Sequence, residues 1–230
     1  MKKQACQHYV KGRIDYRLCT NNYQCENCEF DQYVNDQYAV HVSIKPVNVL
    51  DVEGFKIPHG FYLHPGHTWV KIEENAEVRV GIDDFALRLL GPIDNIYAPL
   101  LGKKVNQSSP DILLSRDKNE ANAMLPISGV VTDVNLKLRD NGSLANKDPY
   151  SDGWILRIHA DNLRGDLKQL MIGEETKKFF KKEINEVYRI IENESSIQLS
   201  ADGGTLGYDI YGNLSGVSWE RLIKRFLRSV

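Results

Sequence analysis

The sequence has little cysteine. All four cysteines lie near the N terminus, at Cys6, Cys19, Cys25 and Cys28, and none follows. The sequence also has no apolar run long enough to cross a bilayer, and its first residues lack the apolar core of a secretory signal. We therefore expect a cytoplasmic protein with no membrane span.

Excess charge of either sign is missing too. The 230 residues include 29 Lys and Arg against 31 Asp and Glu, a net charge of -2 at pH 7. This balance provides no broad positive field to attract nucleic acid or anionic lipid, so nucleic acid is not an expected partner. With 42% hydrophobic and 26% charged residues, the chain has the composition of a folded protein and is not disordered throughout.

The cysteines are spaced as C-x12-C-x5-C-x2-C, with His8 two residues after the first. Thiolates gathered in a short polar segment suit a tetrahedral zinc site or an iron-sulfur centre, and such a segment needs a staple to hold its shape. We predict that Cys6, Cys19, Cys25 and Cys28 bind a metal, or that His8 replaces one of them. The alternatives are two disulfides, which the cytosol disfavours, or a redox-active Cys25/Cys28 pair.

The rest of the chain divides into three parts after this cysteine-rich segment of residues 1–35. Residues 36–58 form a connector in which 38–52 alternate for part of their length like a strand, with Pro46 marking an edge or a break. Residues 59–172 contain short β-like runs separated by Gly, Asn, Asp and Pro. The strand predictions are 68–72, 77–80, 112–114, 129–131 and 154–158. Residues 99–102 and 126–129 repeat a P-x-x-G pattern, which suggests two similar halves of one mainly β domain, a sandwich or barrel.

Helices are predicted at three places. Asp83 can cap a short helix that stops at Gly91. Residues 173–230 form a helical extension: an apolar stripe begins at Phe180, and a last amphipathic helix with a basic outer side starts at the capping residue Ser218. We expect this last helix to pack on its own domain, although a membrane surface or a partner groove also suits such a pattern.

A lysine is predicted at the tip of a hairpin. Residues 112–114 and 121–125 have the pattern of two strands, and the polar residues 115–120 between them place Lys118 at the apex. An exposed lysine on a turn is usually a solvated charge, but a rigid turn is also what an enzyme that modifies the amine requires. His59, His64 and His67 have no matching cysteine or carboxylate, so we assign them structural or solvated roles.

Seven short motifs across the middle of the chain resemble, in order, those of the glycine cleavage H proteins. They are HTWV at 67–70, VGIDDFA at 80–86, LG at 90–91, LGKKV at 101–105, LPISG at 125–129, KDPY at 147–150 and GW at 153–154. Lys118 stands eight residues before Pro126, where this family carries its lipoylated lysine. The resemblance covers about half of the chain and leaves the cysteine-rich segment and the C-terminal extension outside it.

The resemblance implies a lipoyl-type barrel-sandwich hybrid, or hammerhead, that is a carrier subunit and not an enzyme. Lipoate would be joined to Lys118 by a lipoate ligase or lipoyl transferase. The implied partners are glycine decarboxylase (P protein), aminomethyltransferase (T protein) and dihydrolipoyl dehydrogenase (L protein), in glycine catabolism. Two alternatives stay open: a lipoyl carrier in a sulfur or electron transfer complex, and an unmodified binding or regulatory module, which Ser115 and Asn119 favour because the family has Glu and a small apolar residue there.

Overall fold

A computed structural model describes residues 4–12, 14–34, 49–74, 76–194, 206–213 and 216–229. The chain forms two compact units, Met1–Lys45 and Pro46–Val230. No helix among the described residues is long and apolar enough to span a membrane.

The N-terminal unit has almost no core. It contains helix α1 (Gln7–Val10), a 3-10 turn (Cys25–Asn27) and helical residues 29–34, with one bridge between Ala5 and Leu18. Among its described side chains only His8 and Val34 are buried. Hydrophobic burial alone therefore contributes little to holding this unit together.

The second unit confirms the mainly β prediction. Its strands are β1 (Val49–Val52), β2 (Phe55–Pro58), β3 (Phe61–Leu63), β4 (Thr68–Ile72), β5 (Glu77–Ile82), β6 (Asn95–Tyr97), β7 (Lys104–Val105), β8 (Ile112–Arg116), β9 (Asn119–Ala123), β10 (Gly129–Val134) and β11 (Trp154–Ala160). They form a two-stranded sheet β1-β2, a six-stranded sheet β3-β4-β5-β11-β10-β7 and a three-stranded sheet β6-β8-β9. The predicted strand at 38–52 lies mostly outside the described residues; its last part is β1.

The two P-x-x-G segments meet in the large sheet. Strand β7 follows the first and β10 follows the second, and they pair antiparallel with Gly129 opposite Val105. Gly129 has to be glycine because a Cβ there would run into the carbonyl oxygen of His159 on β11. The repeat seen in the sequence therefore marks two segments that lead into neighbouring strands, of which β7 is at the edge of the sheet and β10 lies between β7 and β11.

Helices cover the sheets. They are α2 (Asp84–Leu90), α3 (Lys137–Asp140), α4 (Ser143–Lys147), α5 (Leu163–Asp166), α6 (Glu174–Glu194), α7 (Ile210–Asn213) and α8 (Trp219–Leu222), the last continuing as a π turn (Ile223–Leu227). As predicted, the Asp83 side chain caps α2 by accepting the Ala86 N–H at 2.9 Å, and the helix ends at Gly91 with φ 77°.

The amphipathic patterns of the extension face inward as predicted. Helix α6 buries Phe180, Ile184 and Val187, and the last helix buries Trp219 and Phe226. The predicted N-cap is also present, since Ser218 accepts the Arg221 N–H at 3.2 Å. The difference is the π turn, in which the Arg228 N–H reaches back to the carbonyl of Ile223.

The π turn places Arg228 next to Glu183, at one end of a chain of charged side chains, which we call the charge network. Arg228 donates to Glu183 of α6 at 2.8 Å, Glu183 lies 3.5 Å from Nε2 of His67, and Nδ1 of His67 lies 2.8 Å from Asp83. Burial alone would lower the pKa of His67, but Asp83 and Glu183 outweigh it and raise that pKa. The network ties the end of the described chain to the first strands of the sheet.

Candidate functional site at the central hairpin

Lys118 lies at the tip of the hairpin formed by β8 and β9. Arg116 pairs opposite Asn119, so Asp117 and Lys118 alone make the connection. Asp117 has φ 54°, a left-handed conformation that Asp tolerates better than most residues. Both loop residues are exposed, and within the described parts of the chain the Lys118 amine has no hydrogen-bond or ion-pair partner. The hairpin therefore presents one free primary amine to solvent.

The strands below the tip are held by their own domain. On one side, the Asp117 N–H donates to Asp94 at 2.7 Å and the Ser115 hydroxyl donates to Asn95 at 3.1 Å. The inward side chains of the strands, Ile112, Leu114, Ala121 and Ala123, are buried in the core. A rigid base with an exposed tip follows from this alternation of buried and exposed residues.

The strands are also held from the C-terminal side. Arg116 makes two hydrogen bonds to Asp209, at 2.5 and 2.9 Å, and the Trp219 indole N–H donates to the carbonyl oxygen of Glu120 at 2.7 Å. Burial alone would raise the pKa of Asp209, but the hydrogen bonds from Arg116 and from the Gly212 N–H lower it, which keeps the carboxylate charged. Sequence reasoning did not find these contacts; the one available signal was that a buried Trp needs an acceptor for its N–H.

The three histidines near the start of the domain have separate roles, two of them structural. His67 belongs to the charge network, and His64 accepts the Gly66 N–H on Nδ1 and contacts the Ser108 hydroxyl through Nε2, both at 3.0 Å. His59 is exposed. These positions agree with structural or solvated roles, but the expectation that no carboxylate matches them is wrong for His67, which contacts Asp83 and Glu183.

The four cysteines line one small cavity of about 30 Å³ in the N-terminal unit, together with His8 and Asp31. All four are free thiols and partly buried. Burial, then Asp31, then the other three thiols raise the pKa of Cys25. Among the residues that the structure describes, no three His, Cys, Asp or Glu side chains have the arrangement of a formed metal site.

His8 is oriented by an acidic partner in this cavity. Its Nε2 lies 2.7 Å from Asp31, and its Nδ1 is buried without a hydrogen-bond partner. A histidine that binds a metal through one nitrogen commonly donates the other N–H to a carboxylate. The contact with Asp31 therefore fixes the orientation of the His8 ring in this cavity.

Comparison with known proteins identifies the family of the domain that contains the hairpin. The family model for the glycine cleavage H-protein matches residues 61–183, which include the whole hairpin. The chain belongs to the glycine cleavage H-protein family. The match excludes the N-terminal unit and the last part of α6. It also excludes Asp209 and Trp219, which contact Arg116 and Glu120 of the hairpin.

Two curated relatives are similar to the chain over nearly their whole length. A probable glycine cleavage system H protein from Thermococcus gammatolerans is 34% identical over 57% of this chain and 97% of its own length. A glycine cleavage system H protein from Coprothermobacter proteolyticus is 36% identical over 54% of this chain and 97% of its own length. A crystal structure of an H protein from Mycobacterium marinum aligns with a TM-score of 0.44 and 25% identity, over 46% of this chain and 87% of that chain.

Membership fixes the class of function. H proteins are carriers of covalently attached lipoate and not enzymes, so the chain is a carrier subunit. The family acts with glycine decarboxylase, aminomethyltransferase and lipoamide dehydrogenase, which supports a role in the glycine cleavage system.

Proposed function

We propose that Lys118 carries the lipoyl group and that the chain moves aminomethyl groups and reducing equivalents between the enzymes of glycine cleavage. The observation that carries this proposal is the free, exposed amine on a two-residue turn inside the H-protein-like domain. A free amine fits the group, because an amide to the lipoyl carboxyl needs an unpaired nitrogen with room around it.

Attachment is a simple acyl transfer. A lipoate ligase or lipoyl transferase supplies the acyl group, for example as lipoyl-adenylate; the amide bond forms at Nζ of Lys118, the acyl-phosphate bond breaks, AMP leaves and Nζ loses a proton. When attached, lipoate supplies a dithiolane that accepts the one-carbon unit and electrons. The chain's own part is mechanical: the hairpin base holds the attachment point still, and the tether makes each transfer effectively intramolecular.

The test is the mass of the protein purified from its own host. We expect one lipoyl group, on the peptide that contains Lys118, and none in Lys118→Arg, whereas exposed Lys137→Arg serves as the control and keeps the group. An unmodified native chain would reject the proposal in favour of the binding or regulatory module. A modified chain that co-purifies with a sulfur- or electron-transfer complex, and not with glycine decarboxylase, would favour the other carrier pathway.

A second proposal concerns the cysteines. We propose that Cys6, Cys19, Cys25 and Cys28, with His8 as the alternative fourth ligand, hold a zinc ion or an iron-sulfur centre that staples the N-terminal unit. What supports this is the convergence of all four thiols on one small cavity, in a unit whose described residues form almost no core.

Metal analysis and visible absorption of the purified protein test this site and separate zinc from iron-sulfur. We expect Cys25→Ser to lose the metal and the protease resistance of the N-terminal unit while the β domain keeps its unfolding transition. His8→Ala distinguishes a four-cysteine site, which keeps its metal, from one that uses His8. Unchanged metal content in Cys25→Ser, or no metal in the native protein, would reject the site.

A further inference from the structure

Two side chains of the C-terminal segment, defined as residues 206–213 and 216–229, hold the hairpin on both sides of Lys118. Asp209 binds Arg116, two residues before the lysine, and Trp219 binds the carbonyl of Glu120, two residues after it. Each contact lies at the point where a strand enters the turn. The C-terminal segment therefore clamps the two ends of the loop that carries the amine.

The residues that make these two contacts, which we call the clamp, are packed against one another. Trp219 is 4% exposed, and its ring meets Tyr211 edge-on with centroids 5.0 Å apart. The guanidinium of Arg116 in turn lies 5.3 Å from the centre of the Tyr211 ring. Asp209 is itself anchored, since its carboxylate accepts the Gly212 N–H at 2.8 Å. These contacts connect one side of the turn to the other through a single aromatic ring.

Room for the ion pair depends on Gly91. A Cβ at this position would collide with both Asp209 Oδ1 and Arg116 Nη1, and the residue has φ 77°, which favours glycine. Arg116 also donates to the carbonyl of Leu90, at the end of α2. The guanidinium thus joins three elements: the hairpin, the end of α2 and the C-terminal segment.

We propose that Asp209 and Trp219 are positioning residues for the acylation of Lys118, and that the acylating enzyme binds the hairpin in the geometry which they hold. This inference rests on the proposed attachment of lipoate to Lys118. An acylating enzyme that recognises Lys118 together with the folded hairpin binds only chains in which the turn has the conformation that fits its site. If the contacts of Asp209 and Trp219 are weakened, a smaller fraction of the chains has this turn geometry. The apparent KM then rises in proportion, while the rate of acylation in the bound complex stays the same.

Acylation kinetics on the full chain test the inference, with lipoyl-adenylate and a lipoate ligase or transferase as the probe. Asp209→Asn puts an NH2 group in place of one acceptor oxygen, so one of the two hydrogen bonds from Arg116 is lost and the other no longer has a charged acceptor. We expect KM for the protein to rise about tenfold with kcat unchanged. Trp219→Phe keeps a ring and loses one N–H, and we expect a rise of about threefold. Asp209→Glu should recover most of the loss.

A matched control separates positioning from general stability. Asp111→Asn removes a carboxylate that pairs with Lys103 at 3.1 Å, at the other end of β8, and should leave KM unchanged. A KM equal to that of the wild type in Asp209→Asn and Trp219→Phe, or a loss of kcat instead of a rise in KM, would overturn the positioning role of the two residues. The proposed carrier function would still stand if the wild type is acylated. A wild type that is never acylated at Lys118 would overturn both.

Discussion

Protonation of His64 should destabilise the fold. The side chain is buried, its Nδ1 already accepts the Gly66 N–H, and Nε2–H is directed at Ser108. A proton added to Nδ1 would face a donor. Burial, together with Arg228 and His67, lowers the pKa of His64 from 6.5 to about 4.

The sign and the size of the stability change follow from the difference between the pKa values of His64 in the folded and unfolded chains. Because the unfolded chain binds the proton at a higher pH than the folded one, the stability that neutral His64 contributes is present above pH 6.5 and is lost as the pH falls toward 4. With about 1.4 kcal/mol per pKa unit, the full loss is about 3 kcal/mol, of which about 2 kcal/mol falls between pH 7 and pH 5.

Urea unfolding at pH 7, 6 and 5 measures this loss as the difference between wild type and His64→Gln. The comparison is needed because His67, whose pKa is raised, gains stability over the same range as the pH falls. We expect the wild type to lose about 2 kcal/mol more than His64→Gln between pH 7 and pH 5. Exposed His59→Gln is the control and should keep the wild-type slope. Parallel curves for wild type and His64→Gln would refute the reasoning.

Two further substitutions test the packing. Gly81→Ala places a Cβ within 3.0 Å of three atoms of the Trp69 ring, and it should cost about 3 kcal/mol of unfolding free energy in urea. Gly207→Ala meets nothing within 4 Å and should cost less than about 0.5 kcal/mol, so equal costs would contradict the contact. Phe180→Ala removes a fully buried ring that joins α6 to Phe55 and Phe85, and should cost about 4 kcal/mol by the same assay; a cost under about 1 kcal/mol would mean that α6 is not part of the core.

Local patterns predicted most of the elements. The strand at 68–72 agrees with β4 to the residue, the cap at Asp83 and the stop at Gly91 bound α2, and the turn at Lys118 connects β8 to β9. These features depend on alternation, capping and turn residues that lie next to each other in the sequence. The same is true of the inward faces of α6 and the last helix.

Contacts between distant polar residues could not be predicted in this way. Glu183 and His67, or Asp209 and Arg116, meet only because sheets and helices pack in a particular arrangement, and neither pair has a local pattern that points to its partner. The π turn that brings Arg228 to Glu183 is likewise set by tertiary packing, since the apolar spacing of 219–227 is that of an ordinary α-helix.

The order of strands in the six-stranded sheet has a consequence for synthesis on the ribosome. Strand β5 pairs with β11, which places Val80 beside Leu156, so the sheet cannot close until β11 has been made. The hairpin with Lys118 emerges before β11, and Trp219 emerges later still. If acylation needs the clamp, nascent chains and fragments that stop short of Trp219 are poor substrates, and the arm is added only after the domain around it has folded.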